Sequence, residues 1–272
     1  MLTLFPAGGL CNRLLAIHSS LHLSRDIQQP LRVVWRMNPE LGCRFDRLFR
    51  VPGEISQFIN LETRKPSIAR KIRELPFRYF HWPPLRPSFQ WQEIEALHKA
   101  GYDFSAFSNR RHTQFESLSL FYGEDRPFYG FQPADTLSDR IKGVLGGDTE
   151  IIGIHIRRTD HKLSIQHSHT DLFAEKIEAI VRKNYDQKFF LATDDPQEEA
   201  KLLCLFPGRI STFGKRSQNR SREEAIEDAL VDLYCLSRTR KILGSYASTF
   251  SFVAGRIGGV PVEYVHSRSA PC

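Results

Sequence analysis

The stretch that decides the fold is Thr149-Glu150-Ile151-Ile152-Gly153-Ile154-His155-Ile156, with Arg157-Arg158-Thr159-Asp160 directly after it. Its β-branched apolar run, ending abruptly in charge, is the pattern of a parallel strand buried on both faces. Downstream, residues 171–184 have helical spacing, with Leu172, Ile177, Ile180 and Val181 on one face. A strand follows at Lys188–Ala192, a helix opens at Pro196, and a short strand lies near Arg209-Ile210-Ser211. Residues 222–237 form the clearest helix, because Ala225, Ile226, Ala229, Leu230 and Leu233 keep the i, i+3, i+4, i+7 spacing. Strand Lys241-Ile242-Leu243, a helix from Ser248 and strand Val260–Val265 complete the series. Strand alternating with helix means an α/β fold built on a doubly wound parallel sheet.

Upstream, strand Leu2–Phe5 runs into Gly8-Gly9, then a helix over about 12–26 and strand Leu31–Trp35. Between about 60 and 125 the alternation is lost, in a stretch rich in Arg, Phe, Trp and Pro such as Arg78-Tyr79-Phe80-His81-Trp82-Pro83-Pro84. Thr136–Gly147 reads as the junction between two Rossmann-like domains, 1–140 and 141–272, and a cleft between such domains is the usual place for a ligand.

Composition narrows the class. With 272 residues, 41% hydrophobic and 25% charged, the chain is an ordinary globular protein, neither disordered nor a coiled coil. No apolar run nears the ~20 residues of a membrane span, and the N-terminus lacks a secretory signal, so a cytoplasmic protein is expected. Five scattered cysteines, never in a CxxC pair, argue against a disulfide framework and a zinc site. The +7 charge is spread along the chain without an RNA or DNA module, so nucleic acid is not an expected partner, despite the basic and aromatic stretch 64–91.

Four motifs carry chemistry. Gly8-Gly9-Leu10-Cys11-Asn12-Arg13-Leu14 follows the first strand, where glycines admit close approach of a ligand and the next helix offers free N–H groups; a tight turn alone also explains them. His155-Ile156-Arg157-Arg158-Thr159-Asp160 stands at a strand exit, where α/β sheets bind ligands. By strand alternation one arginine can fork onto phosphate oxygens while the other makes a structural ion pair, with Asp160 as partner. Asp194-Asp195-Pro196 offers adjacent carboxylates for a metal or for acid/base work, although Asp195 before Pro196 has the form of a helix cap. Asp232, near a helix C-terminus that disfavours an anion, should face a compensating donor. Ser248-Thr249, after Gly244-Ser245-Tyr246-Ala247, would cap a helix whose start is an anion site. An anion-binding helix start, an arginine fork and a buried acceptor carboxylate together describe a site for a nucleoside diphosphate.

The ordered set GGLCNRL, HIRRTD, LATDDP, DLYCLS and GSYASTFS resembles the fucosyltransferase superfamily that uses GDP-fucose, across nearly the whole chain. This superfamily includes protein O-fucosyltransferases and the α1,2- and α1,6-fucosyltransferases. The resemblance implies a GT-B fold, with the donor mainly in the C-terminal domain and the acceptor facing the N-terminal one. It implies that His155 and Asp232 hold the guanine and that Arg157 grips the β-phosphate. Ser248, Thr249 and Phe250 would line the diphosphate, with Gly8, Gly9 and Asn12 near sugar and phosphate. Arg158 and Asp160 would stand behind these, and Asp194 beside the donor.

The resemblance further implies an inverting, metal-independent transfer of fucose from GDP-fucose to a hydroxyl of a glycan or glycoconjugate, with no cofactor. Another GDP-sugar, or GDP-sugar binding without transfer, are the alternatives. Peripheral contact with a membrane-linked acceptor, at the inner face of the membrane, belongs to the same expectation. The sequence departs from the family at the base. Where the α1,6 relatives carry a glutamate ten residues after the motif histidine, this chain has Ile165, and where one O-fucosyl branch carries an acid before the glycines it has Ala7. The candidates for the base are Asp160, Asp171 and a histidine from His161, His167 and His169. A zinc site in that histidine run fits no standard ligand spacing, and a flexible surface loop explains the run better.

Overall fold

The computed structural model describes residues 1–62, 87–148, 150–159, 161–217 and 219–267. Arg78–Pro84 and Asp160, both singled out above, lie outside the described residues. The chain divides into two compact units, Met1–Gln132 with Asn219–Ile226, and Pro133–Gln218 with Glu227–Cys272.

The first unit contains β1 (Leu2–Pro6), α1 (Leu10–Asp26), β2 (Leu31–Met37), α2 (Phe45–Leu48), β3 (Ile55–Glu62), α3 (Trp91–Lys99) and β4 (Thr113–Ser117). Its sheet has the order β3-β2-β1-β4, with β1 parallel to both neighbours: Leu4 lies beside Val33 on one side and Phe115 on the other. β1 and α1 are buried almost throughout, which is why their apolar runs were legible. β3 and β4 were not: β3 is an edge strand with mixed exposure, and β4 (Thr-Gln-Phe-Glu-Ser) has one large apolar residue.

The second unit contains α4 (Asp135–Leu145), β5 (Ile152–Ile156), α5 (Lys162–His167), α6 (Thr170–Lys183), β6 (Phe189–Thr193), α7 (Pro196–Leu205), β7 (Ile210–Thr212), α8 (Glu223–Leu236), β8 (Lys241–Ser245), α9 (Thr249–Gly258) and β9 (Val262–Val265). The sheet is parallel, in the order β7-β6-β5-β8-β9. Its core joins Ile152, Ile154 and Ile156 of β5 to Phe173 and Ile177 of α6 and Leu202 of α7. The chain leaves β5 toward β6 on one side and reaches β8 on the other. The carboxyl ends of β5 and β8 therefore meet at the topological switch point, where open α/β sheets bind ligands.

Two expectations change. Thr136–Gly147, read above as the junction, is mostly helical: Leu137, Ile141 and Leu145 recur every fourth residue and are buried, forming α4, which Gly146 ends at φ +56°. The division accordingly falls at Gln132/Pro133 rather than at 140/141, and residues 219–226 group with the first unit. Nor is the histidine run a loop. It forms α5, followed by the start of α6. Among the described residues no helix is long and apolar enough to cross a membrane.

Candidate functional site

β5 ends on His155 and Ile156, and its ladder continues to Ala192 and Thr193 of β6 and to Gly244 of β8, so three strand ends converge. His155 is buried; its Nδ1 lies 2.8 Å from Ser251 Oγ and its ring stacks on Phe250 at 4.7 Å. Burial foremost, then the Arg157 charge, holds this imidazole well below its ordinary pKa, so it is neutral. Gly244 is what lets α9 come this close, because a Cβ there would sit 2.5 Å from Ser251 Oγ.

The two arginines part company just after β5. The Arg157 main-chain N–H donates to Ser245 Oγ at 3.0 Å, and its Nη1 lies 2.9 Å from Asp194 Oδ2. Asp194 also accepts from the Arg158 main-chain N–H (2.8 Å) and from Thr159 Oγ1 (2.7 Å). These donors, the Arg157 charge first among them, outweigh burial and keep Asp194 below the usual carboxylate range. Arg158 turns to structure. Its Nη2 donates to the Ser168 carbonyl (2.7 Å) and to Thr170 Oγ1 (2.8 Å), and its Nε faces Glu198 Oε1 at 3.2 Å. Its carboxylate partner is thus Glu198 of α7. The neighbouring Asp195 caps α7, accepting from the Gln197 N–H at 2.8 Å with Pro196 at the first helical position.

The β8–α9 turn presents a helix start. Ser248 occupies the N-cap and its side chain makes no capping hydrogen bond, and the start of a helix is a favourable place for an anion. Ala247 before it has φ +55°, a left-handed conformation that costs a non-glycine residue about 1 kcal/mol or more and clusters at ligand sites.

Asp232, on α8 four residues before its end, is buried. Its Oδ2 lies 3.1 Å from Lys215 Nζ, while its Oδ1 is buried with no hydrogen-bond partner among the described residues. Burial raises this carboxyl to about 7, against the opposing Lys215 charge. Lys215 was missed in the sequence, where a polar stretch, Gly214-Lys215-Arg216-Ser217, carries no signal.

The candidate bases are placed apart from one another. His161 caps α5: its Nδ1 accepts from the Ser164 N–H at 3.1 Å, which puts the proton of the neutral ring on Nε2. Asp171 is exposed and ion-paired with Lys201 at 2.7 Å, which lowers its pKa. His167 is buried with its ring against Tyr246, and His169 stands exposed at the N-cap of α6. Ile165, at the position of the relatives' glutamate, is exposed. Among the described residues no three His, Cys, Asp or Glu side chains group as a metal site.

In the first unit, Gly8 adopts φ +74°, Gly9 is the N-cap of α1, and Asn12 lies in its first turn. A Cβ on Gly8 would sit 3.1 Å from Asn12 Nδ2. The turn is tied down by Arg13, whose Nε donates to the Gly8 carbonyl at 2.8 Å and whose Nη1 donates to the Arg36 carbonyl at 2.6 Å. The Arg13 guanidinium lies over Trp35 and is almost fully buried, which lowers its pKa to about 10.

The fold has counterparts among solved structures. NodZ fucosyltransferase from Bradyrhizobium superposes with a TM-score of 0.61 at 18% identity, covering 93% of this chain and 90% of that one. The fold is that of the GDP-fucose fucosyltransferases of GT-B type. POFUT1 in complex with GDP gives a TM-score of 0.61 at 13% identity, over 97% of this chain and 98% of that chain. NodZ α-1,6-fucosyltransferase soaked with GDP-fucose gives 0.60 at 18% identity. In sequence, 126 residues, 44% of the chain, are 28% identical to GDP-fucose protein O-fucosyltransferase 2 of Caenorhabditis elegans. The match covers 29% of that relative's length. No family model matches the chain.

Proposed function

We propose that the chain is an inverting, metal-independent glycosyltransferase that moves fucose from GDP-fucose to a hydroxyl of a glycan or glycoconjugate. The observation that carries this reading is the buried, unpartnered Oδ1 of Asp232, in the unit whose β5 and β8 ends also bring His155, Arg157 and the start of α9 together. A buried acceptor left without a donor costs about 1–3 kcal/mol, a penalty that a ligand N–H removes. Guanine offers N1–H and N2–H₂ side by side, which suits a carboxylate. The fold likeness to structures holding GDP and GDP-fucose supports the same ligand.

In this reading Asp232 and His155 receive the guanine, Arg157 and the start of α9 at Ser248, Thr249 and Phe250 receive the diphosphate, and Asp194 orients Arg157. Arg158 stands behind them as a structural residue. For Gly8, Gly9 and Asn12 the role near sugar and phosphate rests on the resemblance. Negative charge grows on the β-phosphate as the glycosidic bond breaks. A fixed guanidinium and oriented N–H groups stabilise it with little reorganisation, so no cation or cofactor is needed. The acceptor hydroxyl attacks from the opposite face and inverts the anomeric carbon. With His161 committed to a cap and Asp171 to Lys201, Asp160, His167 and His169 remain as candidates for the base.

Ile165 favours a second reading, a GDP-sugar-binding protein without transfer, because no carboxylate stands where the α1,6 relatives carry theirs. A thermal-shift panel of GDP, GDP-fucose, UDP and ADP tests the first step. GDP should stabilise the chain more than ADP or UDP, and Asp232→Ala should weaken GDP roughly hundredfold. Equal shifts for GDP and ADP would remove the guanine assignment. GDP release from GDP-fucose, abolished by Asp160→Asn with GDP binding intact, separates the transferase from the binding protein.

A further inference from the structure

Lys215 lies in the loop after β7, and its Nζ bridges two elements. It faces Oδ2 of Asp232 on α8 at 3.1 Å and donates to the main-chain carbonyl of Thr193, the last residue of β6. The bridge is built in, because the next residue staples the loop to α8. The Arg216 main-chain N–H donates to Asp228 Oδ2 (2.6 Å), its Nε to Asp228 Oδ1 (2.9 Å) and its Nη2 to Glu227 Oε2 (2.8 Å). Asp228 precedes Asp232 by one helical turn, on the same face. The Lys215 side chain is 14% exposed, a depth at which a lysine needs a partner.

We propose that Lys215 is the positioning residue for base recognition: by occupying Oδ2 of Asp232 it keeps the carboxylate ionised and presents Oδ1 to the nucleobase, selecting guanine. This rests on the GDP reading above. Ionisation decides the base because the two forms of the carboxyl differ in hydrogen-bonding chemistry. The carboxylate only accepts, matching the paired donors of guanine; the acid donates and accepts, matching adenine N1 and N6–H₂.

Lys215 favours the charged form. Burial raises Asp232, and Glu199 of α7 and Asp228 of α8 push the same way. Cys235, three residues on, is buried and uncharged, its thiol pushed up to about 12 by burial and by Asp232.

The test is GDP and ADP affinity between pH 6 and 8.5 for the wild type, Lys215→Met, Lys215→Arg, Asp232→Asn and the Lys215→Met/Asp232→Asn double variant, with Tm recorded for each. In the wild type, GDP should weaken about tenfold per pH unit below a midpoint near 7. Lys215→Met should move the midpoint up, weakening GDP at pH 7 about tenfold for each unit moved and narrowing the GDP:ADP ratio. Lys215→Arg should keep the wild-type midpoint. Asp232→Asn should bind GDP weakly and without this pH dependence, and Lys215→Met should add nothing to it, since it acts through the missing carboxylate. A wild type that prefers GDP, with Lys215→Met unchanged in affinity and midpoint, would overturn the assignment alone. So would a loss on Lys215→Met that is as large in the Asp232→Asn background as in the wild type. Equal GDP and ADP affinity in the wild type would overturn the guanine reading and the assignment with it.

Discussion

Arg157 and Asp194 face each other across the ends of β5 and β6, Nη1 to Oδ2 at 2.9 Å, and the carboxylate is itself held by the Arg158 main-chain N–H and the Thr159 hydroxyl. Asp194 thereby fixes one arm of the planar guanidinium fork. The next side chain along, Arg158, has its donors taken by Ser168, Thr170 and Glu198. Two adjacent arginines thus divide into one paired with Asp194 at the strand end and one that ties α6 and α7 to it.

That division predicts opposite phenotypes. Arg157→Lys keeps the charge but loses the fork, so kcat should fall on the order of a hundredfold with Tm near wild type. Arg158→Lys should instead cost about 1–3 kcal/mol of stability, because buried acceptors lose their donors. Urea unfolding and GDP-release assays on both variants check this. Near wild-type turnover in Arg157→Lys would remove its leaving-group role.

Gly244→Ala should disturb the site without touching a ligand. The added methyl would meet Ser251 Oγ and Cβ at 2.5 and 2.7 Å, displacing the start of α9 and the hydroxyl that holds His155. Overpacking of this kind costs about 1–3 kcal/mol. GDP affinity should fall as well, and a variant with normal Tm and normal affinity would contradict the packing described.

The buried carboxyl of Asp232 sets a pH dependence of known sign. Its pKa is about 7 in the folded chain against an ordinary 3.8, so the native state holds its proton through the window in which the unfolded state has lost it. Stability of the free protein relative to Asp232→Asn should therefore fall as pH rises from about 4 to about 7, by up to about 1.4 kcal/mol per pH unit. GDP binding should strengthen over the same window, since guanine takes the ionised form. Urea titrations of both proteins at pH 5, 6 and 7 read the slope, and parallel lines would mean that Asp232 ionises normally.

Turnover should survive EDTA. Asp195 is spent on capping α7 and Asp194 on Arg157, so the adjacent carboxylates that could have held Mg²⁺ are engaged. GDP release measured with and without chelator decides it. Complete loss, restored by Mg²⁺ or Mn²⁺, would move Asp194 to a metal and overturn the arginine-centred mechanism.

The sequence by itself determined the elements whose residues are uniformly buried or strictly periodic: β1, α1, β5, β6, α8 and β8. A strand buried on both faces and a helix with one apolar stripe write their environment into residue order. It also determined the Asp195 cap, which needs only its own neighbours. β3, β4 and α5 escaped because their stability comes from partners distant in the chain: β4 pairs with β1 over a hundred residues away, and α5 is held by His161 and by Ser164 bonding to the Tyr246 carbonyl. Only the tertiary structure decided that Arg158 meets Glu198 of α7 and that Lys215 meets Asp232. Adjacent residues of like type differ in role through what the fold brings against them. A lysine in a polar loop becomes a half-buried cation only once Arg216 and Asp228 fix that loop to α8.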